Sequence, residues 1–135
     1  MRVLVDSNVL LDILEDDATW YEWSAEQVVR CATHSRLVID PIVFGEVSVA
    51  FSRIEALDAK LPRGLYEREP VPWEAAFMAG KVFVDYRRRG GTKRSPLPDF
   101  FIGAHAAVTG MSLLTRDAGR YRTYFPTVKL ITPDD

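Results

Sequence analysis

Short runs of consecutive apolar residues alternate along this chain with longer stretches in which apolar positions recur every three or four residues. The runs at 2–6 (Arg-Val-Leu-Val-Asp), 36–40 (Arg-Leu-Val-Ile-Asp), 112–115 and 128–131 predict short buried strands. Val9, Leu10, Ile13 and Leu14 form one stripe of a helix over 8–14. Thr19 with Glu22 three positions on reads as a capping box for a helix reaching about Thr33. Asp40 and Pro41 cap and open a helix over about 41–54, with a shorter one following to Leu61. Two prolines make 65–72 an irregular or edge-strand connection. A helix over 73–89 carries Ala76, Phe77, Gly80, Phe83 and Val84 on one side. Gly90 to Pro96 is the clearest flexible loop. A helix over 98–109 is ended by Gly110, and a short helix is expected over 117–124.

Strands alternating with helices predict an α/β layer fold with a short, mostly parallel central sheet flanked by helices. At 135 residues one domain, 1–135, is expected. Apolar residues make up 47% and charged residues 27%, enough for a core under an ordinary soluble surface. The net charge of −2 does not announce a nucleic-acid binder, so such a function would rest on a local basic patch. A single cysteine, Cys31, rules out an intrachain disulfide and fits a reducing compartment. No apolar stretch approaches the roughly 20 residues of a membrane span, and the opening residues do not read as a signal peptide. No membrane association and a cytoplasmic location are therefore expected.

Four carboxylates stand where they cost folding energy. Asp6 ends the first strand, Glu46 interrupts an apolar helix, Asp99 opens a helix rich in small residues, and Asp117 follows Leu113-Leu114-Thr115-Arg116. In open parallel sheets ligands bind beyond the carboxyl ends of the strands. Asp6 and Asp117 would share that edge if their strands are parallel neighbours. Helix capping is the plain alternative for Asp6, Asp99 and Asp117. For Glu46, whose helical neighbours Ile42, Val43, Val49 and Ala50 are all apolar, the alternative is a buried arginine partner. Brought together, the four would repel one another unless a cation or protons intervened.

Val5-Asp6-Ser7-Asn8-Val9-Leu10-Leu11, Glu46, Asp99-Phe100-Phe101-Ile102-Gly103-Ala104 and Thr115-Arg116-Asp117 occur in this order across nearly the whole chain. In this the sequence resembles the PIN-domain ribonucleases, and among them the VapC toxins of toxin–antitoxin pairs. The resemblance implies a three-layer PIN-like fold and a metal-dependent endoribonuclease. It implies Asp6, Glu46, Asp99 and Asp117 as catalytic residues and Asp6, Asp99 and Asp117 as ligands of Mg²⁺ or Mn²⁺. Asn8 and Thr115 match supporting polar positions. It further implies an RNA substrate, a small antitoxin partner and a homodimer. Many relatives carry another acidic residue after the last Asp, where this chain has Ala118-Gly119-Arg120.

The chemistry is consistent with that resemblance. Hard oxygen donors suit Mg²⁺ or Mn²⁺, and no Cys/His cluster suggests zinc. Arg87, Arg88, Arg89, Lys93 and Arg94 form a basic segment ahead of Asp99 that could guide an RNA backbone, or could simply be a solvated helix end. His105, six residues beyond Asp99, is expected to be an ordinary polar or partly buried histidine. Trp20, Tyr21 and Trp23 are read as core, or in part as a groove for a partner helix. An aspartyl-phosphate phosphatase would need an acid at position 8, which is Asn8. The remaining alternatives are a non-catalytic PIN-like interaction module and a housekeeping RNA-processing nuclease without an antitoxin.

Overall fold

Each strand core is apolar and short, so the strands can be covered on both faces. β1 (Arg2–Val5), β2 (Arg36–Ile39), β3 (Tyr66–Arg68), β4 (Ser112–Leu114) and β5 (Leu130–Ile131) pair throughout in parallel, in the order β3-β2-β1-β4-β5. The structure is a computed structural model that describes residues 1–133. Parallel pairing needs crossover connections, and helices supply them. These are α1 (Ser7–Leu14), α2 (Tyr21–His34), α3 (Pro41–Ser48), α4 (Ile54–Lys60), α5 (Trp73–Arg88), α6 (Pro98–Thr109) and α7 (Gly119–Tyr124). The result is the expected α/β architecture, a parallel sheet flanked by helices.

The core runs through the sheet. Leu4, Val5, Leu37, Val38, Ile39, Leu113 and Leu114 are fully buried with Val9, Leu10, Phe100 and Ile102 from the helices. Burying each such side chain is worth roughly 1.5–3 kcal/mol. α6 lies close against the C-terminal segment because Gly103 leaves room for the Phe125 ring, which a Cβ there would overlap. Gly110 ends α6 with φ +72°, the left-handed cap that glycine adopts without penalty. None of the described helices is long and apolar enough to cross a membrane.

Three local expectations differ from the structure. The Thr19–Glu22 capping box does not form. Asp17 Oδ1 instead accepts from the backbone N–H of Thr19 (2.9 Å) and Trp20 (2.8 Å), and α2 starts at Tyr21. α3 stops at Ser48, whose hydroxyl bonds back to the Gly45 carbonyl at 2.6 Å, leaving Val49 87% exposed. On α5 the apolar residues grouped on one side divide: Phe77 and Val84 face solvent together with Trp73, Phe83 packs against the core, and the fully buried positions are Ala75 and Ala79.

Candidate metal centre

β1 and β4 are neighbours with Val5 opposite Leu114, so both chains leave the sheet at the same edge. The Asp6 N–H extends the ladder by donating to the Leu114 carbonyl at 2.9 Å. Asp6 is the N-cap of α1, which accounts for its place in the chain; its Oδ1 accepts from the Ser7 N–H at 2.8 Å. Capping uses only one of its oxygens. Oδ2 accepts from the Thr115 hydroxyl at 2.8 Å and the Tyr121 hydroxyl at 2.9 Å. The side chain is almost wholly buried. Desolvation pushes its pKa up to about 6, the Asp99 charge adds to the rise, and the hydrogen bonds from Thr115, Tyr121 and Ser7 oppose it.

Asp99 occupies the second position of α6, after Pro98, while Leu97 is the cap residue; capping does not account for it. Its Oδ1 lies 3.4 Å from the Tyr121 hydroxyl and its Oδ2 3.3 Å from Arg120 Nη1. One phenolic O–H therefore stands between the Asp6 and Asp99 carboxylates. Glu46, half-buried, accepts from the Ser7 hydroxyl at 2.8 Å. Burial raises its pKa, the Ser7 bond opposes this, and the charges of Asp99 and Asp40 raise it further. Ser7, not an arginine, is its hydrogen-bonding partner, and because α3 ends early Val49 and Ala50 do not enclose it. Asp6, Glu46 and Asp99 are thus linked through Ser7 and Tyr121.

Asp117 is placed differently. It follows β4 as expected, yet α7 starts at Gly119 without a side-chain cap, so Asp117 is not the predicted N-cap. Its backbone is pinned to Thr115, the N–H donating to Oγ1 at 3.2 Å. The carboxylate is exposed, and among the described residues no hydrogen bond joins it to the other three. Asn8 and Thr115 are hydrogen-bonded to each other at this edge of the sheet. Asn8 Nδ2 donates to Thr115 Oγ1 at 3.3 Å, and Asn8 Oδ1 accepts from the Arg116 N–H at 3.1 Å. These bonds lock the start of α1 to the end of β4.

Three contributors escaped the sequence reading. Tyr121 is buried beneath the carboxylates, and burial followed by the Asp6 and Asp99 charges holds its hydroxyl well above the usual phenol range. It is therefore a neutral donor. Its only sequence signal is its place four residues after Asp117, and the apolar pattern does not separate it from Tyr124. Asp12 is buried and takes Arg116 in a two-pronged ion pair, both distances 2.9 Å, plus the Ser24 hydroxyl at 2.7 Å. Arg116 also covers the Trp20 ring at 5.4 Å. His105, fully buried on α6, lies 2.9 Å through Nδ1 from Asp40, the residue that caps α3 by accepting from the Val43 N–H. His105 thereby ties the helix bearing Asp99 to the helix bearing Glu46.

The donor set suits a hard dication: carboxylates linked through Ser7 and Tyr121, two of them with raised pKa values, all hard oxygen donors. Among the described residues, no three acidic, histidine or cysteine side chains already stand close enough to enclose an ion. The fit is therefore to a hydrated cation held by one or two carboxylates, the mode Mg²⁺ prefers. The basic segment is on the surface. Arg87 donates to the Lys93 carbonyl at 2.9 Å and Arg89 pairs with Asp85 at 3.0 Å, while Arg88 and Arg94 are exposed.

A family model for the PIN domain matches residues 3–126. No curated protein matches the sequence. Among solved structures, the chain is similar to VapBC2 of Rickettsia felis bound to a DNA fragment from its promoter, with 16% identity, 98% of each chain covered and a TM-score of 0.74. It is also similar to a toxin–antitoxin complex of Klebsiella pneumoniae, with 21% identity, 97% of each chain covered and a TM-score of 0.66. A third is VapC20 of Mycobacterium tuberculosis, a toxin that cleaves the sarcin–ricin loop. There the identity is 14%, the coverage 90% of this chain and 93% of that one, and the TM-score 0.65. At these identities the likeness is one of fold.

Proposed function

The chain belongs to the PIN-domain family, and from that premise we propose that it is a Mg²⁺- or Mn²⁺-dependent endoribonuclease, the toxin of a VapBC-type toxin–antitoxin pair. The observation that carries the proposal is the joining of Asp6, Glu46 and Asp99, from three separated parts of the chain, through Ser7 and Tyr121. Residues 1–135 act as one nuclease domain in the cytoplasm.

Asp6 and Asp99 would hold the cation, with Asp117 reaching it from the rim through water. When bound, the ion supplies neutralisation of phosphate charge and an activated water for hydrolysis. The rest is the work of side chains. Thr115 and Tyr121 hold Oδ2 of Asp6, and with Ser7 on Oδ1 this leaves one lone pair, on Oδ1, for the ion. Ser7 orients Glu46, whose raised pKa suits it to accept a proton from the attacking water. Arg88 and Arg94 draw the RNA backbone toward Asp99.

The antitoxin is proposed because the similar structures include toxin–antitoxin complexes. Its docking surface lies along α2, where Tyr21 is exposed. A homodimer is proposed through α5, which exposes Trp73 (89%), Phe77 and Val84. One observation favours a second reading, a non-catalytic interaction module: Arg120 already serves Asp99 as a counter-ion. Degradation of RNA by purified protein, with Mn²⁺ added, EDTA as the reversal and Asp99→Ala as control, decides between them. Metal-dependent cleavage abolished in the variant supports the nuclease. Equal cleavage by both proteins contradicts the assignment.

A further inference from the structure

Beyond the carboxyl ends of β2 and β3, one strand over from the acidic site, the sheet opens into a second crevice. Its volume is about 310 Å³, at the small end of ligand pockets. Ile39, Pro41, Phe44 and Pro70 form an apolar wall, and Arg68 and Glu69 bring polar groups to it. Neither of these two is used up. Arg68 lies over the Phe44 ring at 4.9 Å and donates through Nη2 alone, to Asp58 at 2.9 Å and to the Leu61 carbonyl at 3.3 Å. Its Nε is buried without a partner, and among the described residues no hydrogen bond reaches Nη1, although the side chain is 24% exposed. Glu69 pairs with Arg2 through Oε2. Its Oε1 stands 3.7 Å from His105 Nε2, too far for a hydrogen bond, and that buried nitrogen has no partner either. Asp40, which also lines the crevice, has both oxygens occupied, by the Val43 N–H and by His105.

Each charge here is already matched, Arg68 by Asp58 and Glu69 by Arg2, so a bare ion gains little. The crevice suits an uncharged, planar group whose edge sets an acceptor, for Arg68, beside a donor, for Glu69. Nucleobases present such edges. The acidic site is within reach of the nucleotides on either side of such a base. Pro41 opens α3, and Glu46 lies on the same helix, about 9 Å along it from Asp40. We infer that this crevice is a nucleobase pocket, which takes one unpaired base of the RNA beside the phosphodiester held at the acidic site. The inference rests on the ribonuclease reading above and deepens it, by giving the site a means of selecting its substrate. The apolar wall shelters the faces of the base, and Arg68 and Glu69 read its edge.

Mn²⁺-supported cleavage of a short single-stranded RNA by the full chain tests this, with each nucleotide flanking the mapped cut replaced in turn by an abasic one. In the wild type one such replacement should raise KM roughly ten-fold and leave kcat nearly unchanged, the worth of one sheltered base. Arg68→Met keeps the stem over Phe44 and removes the donors; Phe44→Leu removes the ring beneath the guanidinium. Both should raise KM for the intact RNA and be indifferent to the same abasic position. Circular dichroism checks that each variant folds, and either one suffices. A merely structural role would affect intact and abasic RNA by the same factor. No sensitive position in the wild type, or a folded variant that keeps the wild-type ratio of abasic to intact KM, overturns the inference, while metal-dependent cleavage leaves the nuclease reading standing. If the chain binds RNA without cutting it, the nuclease reading falls, and the same ratio read as Kd by fluorescence anisotropy decides the pocket. If it binds no RNA, both fall.

Discussion

At the scale of single residues, Asp6 is where folding and function conflict. Its folded pKa of about 6 lies above its ordinary 3.8. The folded state therefore binds a proton more tightly than the unfolded chain. The stability this provides is present below pH 3.8 and is lost as pH rises through 6, a change on the order of 3 kcal/mol. Metal-free protein should thus lose stability from pH 4 to 6.5 in chemical denaturation, with Mn²⁺ restoring it at the upper end. A flat profile through that window would contradict a buried, ionising Asp6. Asp6→Asn should remove cleavage while leaving the metal-free protein folded at pH 7. Tyr121→Phe should cost about 1–2 kcal/mol without metal, because a buried carboxylate loses a donor. Asp6 and Asp99 were legible as candidates from their places at element ends. Tyr121 was not, because a tyrosine in a short polar helix looks like an ordinary packing residue until its hydroxyl is seen between two acids.

At the scale of elements, α6 is the part that the site depends on. It carries Asp99 at one end and is fixed by His105 in the middle and Gly103 against Phe125. Gly103→Ala should destabilise the protein by roughly 1–3 kcal/mol through overpacking and reduce cleavage in step, as Asp99 shifts. Thermal melting and initial rates check both; unchanged values would mean that Phe125 moves aside freely. Apolar runs and terminators such as Gly110 made the strands and α6 readable in advance. The side of α5 that is buried was not readable, because Ala75 and Ala79 carry little hydrophobic signal and owe their burial to close helix contact. The early end of α3 was equally hidden, since it depends on a serine bonding back to a carbonyl rather than on a proline or glycine.

At the scale of the whole molecule, parallel order brings separate carboxylates into one hydrogen-bonded network. β1 and β4 are adjacent although more than a hundred residues separate them, and the registry of Val5 with Leu114 sets Asp6 beside Thr115. Nothing local in the sequence states that adjacency; the α/β alternation only allows it. The net charge of −2 means that RNA attraction must come from one face. Reversing Arg88 and Arg94 to Glu should weaken RNA binding and flatten its dependence on salt by about two phosphate contacts. An unchanged salt slope would remove the basic segment from the account. The central claim, that distant carboxylates meet to hold a hard dication for RNA cleavage, is tested most directly by following cleavage of one RNA while Mn²⁺ is titrated into EDTA-stripped wild type and Asp6→Asn. The account predicts saturable, EDTA-reversible cleavage by the wild type and none by the variant. Cleavage that ignores Mn²⁺, or that survives in Asp6→Asn, would contradict it.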